Sequence, residues 1–249
     1  MPDSIIKDKT QVNTDIISMK YSYEQKKIII NINNILLEMY GKQGWWPVTS
    51  KPGNAPVYFP GREGRRISDK KAFEIITGAV LTQNTSWSNV EKAIINLGKE
   101  NMLDIRKISK SGSELEELIR PSGYYNQKAQ RLRAISKEII CIGNIKSLRT
   151  YPTAKLRTLL LSWKGIGKET ADSILCYAFN RPVFVVDTYT KRLFKSLELP
   201  FENYDEIQGI VHQSIQPSSS EYGDLHARIV KVSVLKQTEK FLQILKSRL

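Results

Sequence analysis

The sequence predicts a mostly α-helical protein, and three observations carry that prediction. Apolar side chains recur at helical spacing along most of the chain, strand signals are sparse, and Gly, Pro or a capping residue starts or stops each periodic segment. No fixed-period repeat, heptad array or low-complexity tract is present, so solenoids and coiled coils are set aside.

A first helix is expected over residues 21–41, where Ile28, Ile32, Ile35, Leu36 and Met39 share a face and Gly41 lies at the stop. Through residues 47–64 four prolines and three glycines break every pattern, which predicts a long loop; Arg62, Arg65, Arg66, Lys70 and Lys71 make its end basic. Helices follow over 73–82, 89–100, 113–120 and, strongly basic, 126–142. Helical patterns resume at 153–162, 169–179, 188–197, 204–214 and 222–249, the last held by Leu225, Ile229, Val232 and Leu235.

With 249 residues the chain is long enough for one large or two modest domains. At 41% apolar and 25% charged residues, with no apolar run near the roughly 18 residues of a membrane helix, a membrane-spanning reading is excluded. The first twenty residues lack an apolar stretch, so no secretory signal is expected and the cytoplasm is the expected location. Cys141 and Cys176 are too few for a disulfide framework, a zinc ribbon or a four-cysteine iron–sulfur cluster.

The net charge of +13 suits a polyanionic partner better than a small anionic metabolite. Residues 120–200 hold 15 Lys/Arg against 5 Asp/Glu, so most of the excess sits in one third of the chain. Within that third, residues 153–162 and 169–179 are joined by Lys164-Gly165-Ile166-Gly167, which is short enough to demand a tight hairpin. The glycines let backbone N–H groups converge at a helix start, where the dipole favours a phosphate, and Lys164 and Lys168 flank the turn. Such a device holds a nucleic-acid backbone without reading its sequence. Ala171, Ile174, Leu175 and Ala178 form the packing stripe of the second helix. Twenty residues beyond Gly167, Asp187 follows the apolar run Val183 to Val186. It suits a helix N-cap, and a carboxylate there near Lys191 and Arg192 stays ionised, fit to activate a nucleophile or stabilise developing positive charge.

The hairpin K-G-I-G-K-E-T-A-D followed by V-V-D-x-x-x-x-R resembles the helix-hairpin-helix and catalytic aspartate of the endonuclease III superfamily of DNA glycosylases. The resemblance spans residues 39–230 and is nearest to the type III 3-methyladenine DNA glycosylases. Gly44-Trp45-Trp46-Pro47, the stretch from Gly78 to Thr85 and the stretch from Arg120 to Ala129 support that subgroup. It implies an all-α fold of two helical domains without an iron–sulfur cluster: a six-helix barrel over residues 70–182, and a second domain from residues 1–69 and 183–249, with a base pocket between them. It makes Asp187 the catalytic carboxylate and places Lys164, Gly165, Ile166, Gly167, Lys168 and Arg192 at the DNA. Gln83 and Asn84 match the polar wedge that fills the space of a flipped base. Trp45, Trp46, Pro47 and Trp87 match the base pocket, with core packing the competing explanation for each tryptophan.

Two departures bear on chemistry. Lyase-active members carry Lys where this chain has Glu169, and Lys168 is one step, about 100°, around a helix. The basic loop over 48–66 is longer than the subgroup implies, so it could reshape the pocket. The resemblance therefore implies a monofunctional glycosylase in base excision repair, needing no cofactor or metal, acting as a monomer on double-stranded DNA with damaged bases. Alkylated purines such as 3-methyladenine already carry positive charge and leave without an acid, and a sandwich between Trp87 and Trp45 or Trp46 would hold them. The alternatives are an oxidised-base or mismatch glycosylase, a non-catalytic helix-hairpin-helix module with no use for Asp187, and a basic helical protein with an unrelated small-molecule activity.

Overall fold

A computed structural model describes residues 21–201 and 203–249. The reading of residues 1–20 as lacking a leader lies outside the described residues. In chain order the elements are α1 (Tyr23–Tyr40), a two-stranded antiparallel hairpin β1 (Val48–Thr49) and β2 (Pro56–Val57), α2 (Asp69–Leu81), α3 (Trp87–Lys99), α4 (Ile105–Lys110), α5 (Glu114–Ile119), α6 (Tyr125–Ile142), α7 (Ile145–Arg149) and α8 (Thr153–Ser162). Then come α9 (Lys168–Ser173), continued by a π turn over Ile174–Ala178, α10 (Thr188–Ser196), α11 (Tyr204–Ser214), α12 (Ser219–Val234) and α13 (Thr238–Lys246). Helix makes up 65% of the described residues and strand 2%, so the expected helical class is right.

Four local expectations are corrected. The loop over 48–66 contains the β1–β2 hairpin, whose two-residue strands are too short to show a period in sequence. The helices α4 and α7, of six and five residues, are likewise too short to carry a stripe. The expected helix over 222–249 is two helices, broken where Lys236 adopts a left-handed φ of 55°. Leu235, read as an anchor of that helix, is 49% exposed because it sits at this break, whereas Leu225, Ile229 and Val232 are buried.

Buried apolar residues form two clusters. One spans residues 72–185 and the other combines Tyr21 and α1 with residues 184–245. Helix α2 lies inside the first: every residue from Ala72 to Leu81 is buried, and the run is mostly apolar, interrupted by Glu74 and Thr77. Between the clusters the chain is extended, and the period-two alternation of a strand divides its side chains. Val183 and Val185 enter one core, while Phe184 and Val186 enter the other. Among the described residues no strand pairs with this stretch, and side chains of α11 supply hydrogen bonds to it. Phe184 N–H donates to His212 Nε2 at 2.9 Å and Gln208 Nε2 donates to Phe184 O at 2.7 Å. Burial pushes His212 down to about 4, which keeps its ring neutral and able to accept. The stretch ends at Asp187, which is thereby delivered to the seam between the two cores.

Candidate active site at the seam

A cavity of about 800 Å³ opens at this seam, and both Asp187 and Glu169 line it. Its wall is aromatic: Trp45, Trp46 and Trp87, with Tyr40, Tyr58 and Tyr189. The segment carrying Trp45 and Trp46 is pinned on both sides, since Gln43 N–H donates to Asp224 Oδ1 at 2.8 Å and Gly44 N–H to Glu63 Oε1 at 3.0 Å. Deeper, buried Glu74 accepts from Thr49 N–H at 2.6 Å and from Lys71 at 2.9 Å, tying the β1–β2 hairpin to α2. Tyr58 and Pro60 from the basic loop also line the cavity, so the loop does shape it. Arg62, Arg65 and Arg66 instead border a second cavity of about 380 Å³, where Trp45 and Trp46 are shared walls.

The three tryptophans differ from the expected sandwich. Trp45 and Trp87 lie 6.4 Å apart with planes inclined by 39°, and Trp46 meets Trp87 edge-on at 5.6 Å. Two faces gripping a base would be parallel and about 7 Å apart, so these rings touch one another and form one wall. Pro47, expected in the pocket, is buried and absent from the cavity lining.

Asp187 caps α10, accepting from Thr190 N–H at 2.7 Å, and is 9% exposed. Burial alone would raise its carboxyl, yet the His226 ring and the Thr190 donors outweigh burial and hold it below the usual carboxylate range. His226 Nε2 stands 3.4 Å from Asp187 Oδ2, a charge contact rather than a well-formed hydrogen bond. The other side of the ring is oriented by Tyr177, whose hydroxyl donates to Gly223 O at 2.9 Å and lies 2.7 Å from His226 Nδ1. A carbonyl can only accept, so the Tyr177 proton points to Gly223 and Nδ1 donates to the tyrosine.

In the hairpin between α8 and α9, Gly165 has φ 82°, a conformation that favours glycine, and a Cβ there would displace the Arg131 side chain. Gly167 is the N-cap of α9, and a Cβ on it would meet nothing within 4 Å, which leaves the helix start open to a ligand. Lys164 is exposed beside it and Arg192 is exposed on α10. Two neighbours are engaged elsewhere: Ile166 is buried in the first core, and Lys168 Nζ pairs with Asp205 Oδ2 at 2.6 Å, turned away from the cavity that Glu169 faces. The expected wedge pair also divides. Asn84 is exposed at the tip of the α2–α3 turn with φ 53°. Gln83 donates to Gly165 O and Thr170 Oγ1, both at 3.0 Å, and accepts from Arg131 at 2.6 Å. It therefore braces the turn against the hairpin. Beneath both, buried Lys128 caps the end of α2, donating to Leu81 O at 2.8 Å and Ser122 O at 2.6 Å.

With this geometry in view, the chain was compared with known proteins. The profile described as HhH-GPD superfamily base excision DNA repair protein matches residues 77–217. A Methanocaldococcus jannaschii protein, MJ1434, provisionally named a DNA repair glycosylase, is 41% identical over 211 residues, covering 82% of this chain and 86% of its own length. The chain belongs to the HhH-GPD superfamily of base excision DNA repair proteins. Among solved HhH-GPD structures, the Helicobacter pylori 3-methyladenine DNA glycosylase bound to 1,N6-ethenoadenine superposes with a TM-score of 0.65 at 31% identity, over 85% of this chain and 98% of that one. A non-covalent endonuclease III–DNA complex superposes at 0.63 and 21% identity, over 83% and 85%, which speaks for the fold alone.

As an HhH-GPD glycosylase the protein has residues at its seam that sequence reasoning missed, chiefly His226, Tyr177 and Gln83's bracing partner Arg131. His226 is one of only two histidines in the chain, and this was the one available signal. A His226→Gln substitution is expected to remove from Asp187 the ring contact that offsets its burial. The Asp187 carboxyl should then rise, and the acid limb of base release should move to higher pH. An unmoved limb in single-turnover pH profiles would show that Thr190 alone keeps Asp187 ionised.

Proposed function

We propose that this protein is a monofunctional DNA glycosylase that hydrolyses the N-glycosidic bond of alkylated purines such as 3-methyladenine in double-stranded DNA. One observation carries the reading: an ionised, almost fully buried carboxylate, Asp187, at the edge of a large aromatic-walled cavity. The damaged nucleotide would leave the helix and enter the cavity, with Asn84 facing the space it vacates. A cationic base on an aromatic face gains about 0.5 to 2 kcal/mol of cation–π attraction that a neutral base lacks. As the glycosidic bond opens, Asp187 would stabilise the cationic sugar and accept a proton from attacking water. Similarity to the Helicobacter pylori glycosylase, whose structure is named for 3-methyladenine, supports the substrate class. DNA would be held by the open hairpin at Gly167, with Lys164 and Arg192.

Schiff-base strand cleavage is not expected, because the amine of lyase-active relatives is replaced by Glu169, and Lys168 is paired with Asp205. The amines that do line the cavity are Lys42 and Lys231. The test is base release from a panel of methylated, deaminated and oxidised duplexes, with borohydride added in parallel. Release of methylated purines without a trapped covalent complex is the expected result. Preference for an oxidised base, or trapping at the rate of release, would overturn it. For the clamp, Gly167→Asp should weaken binding to every duplex sequence about tenfold or more, since an anion about 4 Å from a phosphate costs about 1 to 4 kcal/mol. Unchanged duplex affinity would remove the hairpin from the DNA interface.

A further inference from the structure

Asp187 is one of two carboxyls on the cavity wall, and the second has no assigned task. Glu169 lies in the first turn of α9, directly after the hairpin that would hold the DNA backbone. Glu169 is an exposed residue whose side chain lines the cavity. Among the described residues no hydrogen bond or ion pair holds its carboxyl, although most other acids near the seam have such a partner: Asp205 pairs with Lys168, Asp224 with Arg228 and Asp172 with Arg157. An uncommitted carboxyl lining the same cavity as an ionised one is the kind of pairing by which glycoside hydrolysis divides its labour. One carboxylate supports the cationic sugar and the water, and the other acid protonates the leaving group.

We propose that Glu169 is the acid that protonates the departing base, so that this cavity also processes neutral purine lesions. The inference rests on the glycosylase reading above and extends its substrate class. In the step, the Glu169 hydroxyl proton passes to a ring nitrogen of the purine as the C1′–N9 bond breaks, and the bonding pair leaves with the base. Water adds to C1′ and gives its proton to Asp187, from which it returns to solvent, and Glu169 regains a proton from solvent. Base and abasic sugar are the products, and water is the only co-reactant.

The surroundings shift Glu169 towards its acid form. Burial is the main influence raising the Glu169 carboxyl, and the Asp187 charge adds to it; His226 on α12 and Lys191 on α10 act the other way without reversing the outcome. Lys168 on its own helix is committed to Asp205. Asp187 is lowered while Glu169 is raised, which is the direction of divergence that an acid and a carboxylate sharing one hydrolytic site require. The same substitution that removes the lyase amine therefore supplies an acid.

The experiment measures single-turnover release, with saturating enzyme, from one duplex holding a cationic N-methylpurine and one holding hypoxanthine, a neutral purine. The wild type should release both. Above the Glu169 titration its hypoxanthine rate should fall about tenfold per pH unit, because the acid form is lost as pH rises, while release of the cationic base has no such limb. In Glu169→Gln the ratio of hypoxanthine to methylpurine release should drop about a hundredfold and the alkaline limb should vanish. Glu169→Asp, which keeps the acid on a shorter stem, should recover part of the ratio. Equal slowing on both duplexes, no change on either, or a wild type that releases methylpurine but no hypoxanthine would overturn the proposal. A wild type that releases neither base would instead overturn the glycosylase function on which it rests.

Discussion

Replacing Asp187 by asparagine is expected to slow base release about a thousandfold while the fold survives. The carboxylate charge about 4 Å from a cationic sugar, at an effective dielectric near 20, is worth roughly 4 kcal/mol, and each 1.36 kcal/mol is a factor of about ten in rate. Asparagine keeps an oxygen able to accept from Thr190 N–H, so the cap of α10 persists. The Asp187 site is also the junction of the two cores, which makes the control informative. Thermal denaturation of the variant should match the wild type within a few degrees, whereas single-turnover release should not. Near-wild-type release would reduce Asp187 to a helix cap and remove the proposed chemistry with it.

The second large effect is expected at Asp172, where the consequence is for stability. Asp172 is fully buried and accepts four bonds: from Arg157 Nε at 2.7 Å and its terminal nitrogen at 2.9 Å, Tyr204 Oη at 2.7 Å and Gln208 Nε2 at 2.8 Å. The first donor comes from α8 in one core and the other two from α11 in the other. Gln208 also holds Phe184 O, and the Tyr204 hydroxyl lies 3.5 Å from Val186 N, so this hub steadies the stretch that delivers Asp187. Asp172→Ala strands these donors. Removing one partner of a buried ion pair costs about 3 to 5 kcal/mol, and the lower end applies because Arg157 keeps a quarter of its side chain exposed. At about 2 to 4 °C per kcal/mol for a chain of this size, the midpoint should fall by about 6 to 12 °C. A melting curve displaced by less than 2 °C would mean that the two cores do not depend on this hub.

Local signals were enough for much of the molecule. The helical class, the glycine hairpin with its stripe of Ala171, Ile174, Leu175 and Ala178, and the capping role of Asp187 follow from spacing, turn chemistry and helix-end preferences, which act within a few residues. The two-residue strands at 48–49 and 56–57 and the short helices α4 and α7 were illegible because they hold fewer residues than a period needs. Other features depended on residues far apart in sequence meeting in space. Tyr177 and Asp187 meet His226 across 49 and 39 positions, Gln83 reaches the hairpin 82 positions away, and the tryptophans touch one another instead of opening a slot. Glu169 shows the division most plainly: its place in sequence marks the loss of a lyase amine, but only tertiary packing puts it on the wall of the cavity that Asp187 also lines, with no partner for its carboxyl among the described residues. Hydrogen-bond partners and desolvation are set when the two cores close on each other, and no local pattern encodes that closure.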